Sequence, residues 1–95
     1  MHKITVSDLT NVAPEELDKE ILKMAVLNEL EAINDLEKMA EMTRNRELRA
    51  TILNVIREKR MAVGQFQAHL MQMGLSPEEL LKGAMNLISE EDANQ

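Results

Sequence analysis

Cysteine is absent from this 95-residue chain, which excludes disulfides, zinc-thiolate sites and iron-sulfur clusters. Aromatic residues are nearly absent too: Phe66 stands alone, with no tryptophan and no tyrosine. Against that single ring stand 8 methionines and many Leu, Ile, Val and Ala, a composition poor for strands and good for helices. An all-α fold follows. Excess positive charge is missing as well. The formal net charge is -6, which leaves no electrostatic footprint for a phosphate backbone or an anionic membrane surface, so neither nucleic acid nor membrane is an expected partner. No apolar run is long enough to span a bilayer, and the opening Met1-His2-Lys3-Ile4-Thr5-Val6-Ser7-Asp8 has no continuous apolar core of signal-peptide length. The expected location is the cytoplasm. No serine, histidine and acid set suggests a nucleophilic triad, and no glycine-rich loop suggests phosphate binding.

What is present reads as helices in a single domain over residues 1–95. After a lead-in of residues 1–12, Ala13-Pro14-Glu15-Glu16 places proline at a first helical position with carboxylates where the helix dipole favours them. This predicts a first helix over 14–43, ended by the polar Arg44-Asn45-Arg46. A second helix is predicted over 47–73, stopped by Gly74 as its C′ residue. Ser76-Pro77-Glu78-Glu79 combines an N-cap serine, a proline at N1 and a capping-box glutamate, predicting a third, shorter helix over 77–90. A lone hairpin of this size buries too little surface to be more than marginal, so self-association is expected.

Two charges interrupt two apolar stripes. The first helix carries Leu22, Ala25, Val26, Glu29, Ala32, Ile33, Leu36 and Ala40 on one face, and only Glu29 is charged. The second carries Leu48, Ile52, Val55, Ile56, Lys59, Ala62, Val63, Phe66 and Leu70, and only Lys59 is charged. An antiparallel hairpin about Asn45, at a rise of ~1.5 Å per residue, puts Glu29 near the level of Lys59 and Ala62. Two readings compete. Each side chain snorkels to the edge of its stripe, or the two meet as a pair, which offsets the several kcal/mol that a lone buried charge costs. Pairing is the preferred reading.

At these residues the sequence resembles the encapsulated ferritins, over about residues 18–74. Asn28-Glu29-Leu30-Glu31-Ala32-Ile33-Asn34 is similar to that family's E-L-[DE]-A-I-N block. Arg57-Glu58-Lys59-Arg60-Met61-Ala62-Val63-Gly64-Gln65-Phe66 resembles its R-E-E-K-x-H-V-G-E-F block. The resemblance implies two long helices and a short one, dimerising into a ferritin-like four-helix bundle that holds iron between subunits for ferroxidase activity. It also implies enclosure in an encapsulin shell. The family's iron ligands fall on Glu29, which is kept, on Lys59 in place of a glutamate, and on Ala62 in place of a histidine. Carboxylates charge-balance iron and an imidazole at i+3 shares their helical face, so a protonated lysine and a methyl group cannot replace them. The acidic end Glu90-Glu91-Asp92 also departs from the small, apolar and basic tails typical of shell cargo.

The leading expectation is a non-catalytic, homo-oligomeric relative without resident metal, with a structural or assembly role, either alone or co-assembled with an active paralogue. One alternative is an iron-binding or ferroxidase protein with a rearranged carboxylate site from Glu29, Glu31 and Glu58, and His69, of two chains. The other is a generic helical interaction module. Glu58 lies off the Lys59 stripe and reads as a solvated carboxylate. Glu31 and Asp35 share a row suited to a cation path or a wet subunit contact. His69 has no neighbouring carboxylates, and His2 reads as lead-in. Gly64, mid-helix, costs roughly 1 kcal/mol relative to alanine, and close approach of another helix is the economical explanation; Gly64 and Phe66 are candidate interface residues.

Overall fold

The structure is a computed structural model that describes residues 5–74 and Glu78. Its frame is an antiparallel hairpin of two helices, α1 (Pro14–Met42) and α2 (Arg46–Gln72), with no strand among the described residues. Both helices lie within a residue of the expected limits. The expected third helix, 77–90, falls outside the described residues apart from Glu78, which is helical and exposed. No helix among the described residues is long and apolar enough to cross a membrane.

Local chemistry sets each boundary. α1 begins with Pro14 at its first turn and with Glu15 and Glu16 beside it, where the missing proline N–H costs nothing and the acids face the positive end of the dipole. Asn45 caps α2, its Oδ1 accepting from the Leu48 N–H at 3.0 Å. The connection is therefore tighter than a bare turn, because Asn45 serves the helix that follows it. At the far end Gly74 adopts a φ of 94°, and its N–H donates to the Met71 carbonyl at 3.1 Å. That left-handed position is one glycine occupies without strain.

The lead-in is more ordered than expected. Val6–Asn11 form a 3-10 helix, anchored where the Thr5 N–H donates to Asp8 Oδ2 at 2.8 Å, and this segment packs against α1.

The core follows a seven-residue rhythm. Val26, Ile33 and Ala40 of α1 and Ile56, Val63 and Leu70 of α2 are the buried residues, each set stepping by one heptad, as in the seam of a coiled coil. Leu22, Leu36, Ile52 and Phe66 occupy the intervening seam positions and pack against that core. Burial of each Val, Ile or Leu side chain contributes about 1.5–3 kcal/mol, so the five of them, with the smaller Ala40, hold the hairpin in register while leaving it little to spare against chain entropy.

Candidate functional site at the Glu29 to Lys59 level

Glu29 follows Val26 by three positions and Lys59 follows Ile56 by three, so both occupy seam positions where Leu, Ile or Phe stand elsewhere. The hairpin brings them together: Lys59 Nζ donates to Glu29 Oε2 at 3.2 Å. Their side chains retain 31% and 26% of their exposure, so pairing and snorkelling coexist. The contact itself is part-buried. One ammonium and one carboxylate make the level formally neutral. Within the described residues no buried side-chain nitrogen or oxygen lacks a partner.

The other residues singled out from sequence are dispersed around this pair. Ala62 is half-buried, one turn beyond Lys59. Glu58 is exposed and accepts from Asn54 Nδ2 at 3.3 Å, within its own helix. Glu31 lies on another face of α1, where with Asn28, Ala32, Asp35 and Met24 it lines an open groove closed on one side by Thr5 and Val6 of the lead-in. His69 is exposed near the end of α2, and His2 lies outside the described residues. Among the described residues no three His, Cys, Asp or Glu side chains gather within reach of one metal ion. An ion site drawn from Glu29, Glu31 and Glu58 would therefore need a second chain.

Gly64 and Phe66, the two candidate interface residues, separate. Phe66 packs into the core of its own hairpin. Gly64 is exposed, and a Cβ built on it meets nothing among the described residues within 4 Å. The close helix approach expected at Gly64 is thus not made between α1 and α2.

The two flanks of the seam differ in character. On one, Arg60 Nη2 meets Glu37 Oε1 at 3.5 Å. In an antiparallel pair, residues preceding the buried positions face each other on the opposite flank. Those residues are Ala25, Ala32 and Met39 on α1 and Val55, Ala62 and the exposed His69 on α2, and Leu48 continues the row one heptad before Val55. Met39 and Leu48 are each about half exposed, at 52% and 48%, and Ala25, Ala32, Val55 and Ala62 are half-buried. An apolar stripe wider than one partner helix needs is left on that side.

Arg49 is the structural residue that sequence reasoning missed. Its Nε–H donates to the Ala40 carbonyl at 3.0 Å and an Nη2–H to the Thr43 carbonyl at 2.6 Å, satisfying backbone acceptors at the end of α1 that the helix leaves open. The signal was its place one heptad before Ile56, where the seam expects an apolar residue.

Comparison with known proteins adds one relationship. No protein-family model matches the chain, and no solved structure matches it. The chain is 41% identical over 73 residues to a ferritin-like-encapsulin shell fusion protein of Pyrococcus furiosus, a match that takes in 75% of this chain and 21% of that relative. The chain spans about a fifth of the relative's length. Over its matched part, this chain is related to an encapsulin-linked, ferritin-like protein.

Proposed function

We propose that this chain is an encapsulin-associated, ferritin-like assembly protein in which an internal ion pair stands where relatives hold iron. Two hairpins associate through the apolar flank bearing Ala25, Ala32, Val55 and Ala62 and build a four-helix bundle about a two-fold axis. The observation that carries the reading is the 3.2 Å contact between Lys59 and Glu29.

The donor chemistry supports it. A ferrous or ferric ion at this level needs anionic or neutral donors. Here the carboxylate of Glu29 is matched by an ammonium, Lys59 repels a cation, and the methyl of Ala62 has no lone pair. These residues do not fit a di-iron group. A lysine amino group brought within reach of a carboxylate supplies the positive charge that a bundle otherwise takes from metal, and the resulting assembly needs no ion to neutralise its interior. Two-fold association brings two Glu29 and two Lys59 side chains into one neutral cluster.

The role that follows is structural: a homo-oligomer, or a partner for an active paralogue whose sites it dilutes or terminates, working in the cytoplasm in association with an encapsulin shell. The similarity to a ferritin-like-encapsulin fusion supports the shell association.

The deciding experiment is aerobic loading of the purified chain with ferrous iron, removal of unbound metal and elemental analysis per chain. The expected result is no retained iron at a mass corresponding to at least a dimer. Stoichiometric iron, or accelerated ferrous oxidation, replaces this reading with a rearranged carboxylate site shared between chains.

A further inference from the structure

The apolar flank is too small to hold two copies together by itself. Ala25, Ala32, Val55 and Ala62 are four side chains, three of them alanine, and each is already half-buried in its own hairpin. Met39 and Leu48 add to one end only. Stable association of two proteins takes roughly 20–30 residues a side, so the contact between copies has to extend past the flank, along one helix or the other.

The neighbouring rows decide the direction. On α2 the row beside the flank is Thr51, Glu58 and Gln65, all polar and all exposed. On α1 it is Ile21, Asn28, Asp35 and Met42, apolar at both ends, with Ile21 42% and Met42 81% exposed. Its polar middle is where the lead-in lies, since Thr5 and Val6 face Asn28, Ala32 and Asp35 across the open groove. Val6 therefore puts a hydrocarbon side chain beside the stretch where that row has none. It is 73% exposed.

The lead-in is shaped to present it. No residue of Val6–Asn11 is buried, and local bonds set its form: the Thr5 N–H donates to Asp8 Oδ2 at 2.8 Å and the Thr10 hydroxyl to the Ser7 carbonyl at 2.8 Å. Its backbone is ordered in the single copy, so docking on it costs less entropy than docking on a loose segment. A two-fold contact also uses one patch twice, and needs high and low ground on the same surface. The lead-in supplies the first and the alanine-bearing flank the second.

We propose that the lead-in of each copy packs against the second copy, so that Val6 is covered on association and the shared surface runs from Val55 and Ala62 across Ala32 to Val6. This rests on the reading of two hairpins joined through the flank. To that reading it adds the segment that completes the surface.

Thiol labelling of the full chain tests it. The chain has no cysteine, so Val6→Cys carries a single reporter, and Met61→Cys, at a position 64% exposed, carries the control. Labelling of Val6→Cys is expected to slow about tenfold as sedimentation shows monomer giving way to dimer, as for a group that reacts only when the pair opens, while Met61→Cys labels at one rate throughout. Val6→Asp is expected to weaken association about tenfold with helix content unchanged, and Val6→Ile to preserve it. A dimer in which Val6→Cys labels as fast as in the monomer, or one that Val6→Asp leaves as tight, overturns this inference and keeps the flank reading. A chain that stays monomeric at every concentration overturns both.

Discussion

Lys59 and Glu29 meet across the seam of the hairpin at 3.2 Å, at a level bracketed by Ile33 and Ile56 on one side and Val26 and Val63 on the other. The relationship is specific because every competing partner at that level is apolar. A one-residue slip of either helix sets each charge against a hydrocarbon layer, so the pair opposes misregistry more than it adds net stability.

The first prediction separates register from stability. Lys59→Met leaves a carboxylate without its partner and is expected to lower unfolding free energy by about 1–2 kcal/mol, near what a charged hydrogen bond contributes at a partly exposed site. Combining it with Glu29→Leu restores or exceeds the original value, since an apolar pair suits the seam. Urea unfolding at one fixed protein concentration checks this; a double variant no more stable than Lys59→Met would show that the pair contributes nothing to be replaced.

Arg49 gives a second prediction. Arg49→Ala removes two donors from the carbonyls of Ala40 and Thr43, and the expected loss is about 1–2 kcal/mol. Hydrogen exchange should quicken first around the connection between α1 and α2. Arg49→Lys recovers only part of the loss, because one ammonium on a flexible stem does not reproduce the planar fork that spans both acceptors. Equal exchange in the three proteins would remove Arg49 from the account of how the hairpin closes.

These two contacts show what the sequence made legible. The Glu29 to Lys59 pair was readable because each charge stood alone on an apolar stripe and the helical rise fixed their level. The helix limits were readable from Pro14, Asn45 and Gly74, residues whose backbone or side-chain chemistry has one economical use at a helix end. Arg49 was legible only as a charge at a seam position one heptad before Ile56, because its partners are main-chain carbonyls, which residue pattern does not name. The 3-10 turn of Val6–Asn11 was not legible, being held by the local Thr5 to Asp8 bond and too short to show a period. The close approach expected at Gly64 is not made within the hairpin, where a Cβ built on it meets nothing among the described residues within 4 Å.

A third prediction concerns the surface that assembles. Val55→Glu puts a charge into the apolar flank and is expected to shift the chain toward monomer in sedimentation experiments, with little change in helix content. Met61→Glu, on a face where the side chain is already 64% exposed, should leave association unchanged. Equal effects from both would move the interface away from the flank that carries Ala62.

Restoring the ligand chemistry is the strongest test of the site. Lys59→Glu with Ala62→His returns a carboxylate to the seam beside Glu29 and places an imidazole one turn further along α2. The spacing of three residues keeps the two on one helical face. Three potential donors per chain then converge where the unaltered chain has a neutral pair. Without metal, the added carboxylates repel, so the variant should be less stable than the original, and ferrous iron should raise its unfolding temperature in proportion to occupancy. Iron per chain and that thermal shift are measured together. A well-folded, dimeric variant that neither retains iron nor gains stability from it would mean that the backbone no longer holds the ligand geometry, and the ion pair would have to be read as a register device with no history of metal behind it.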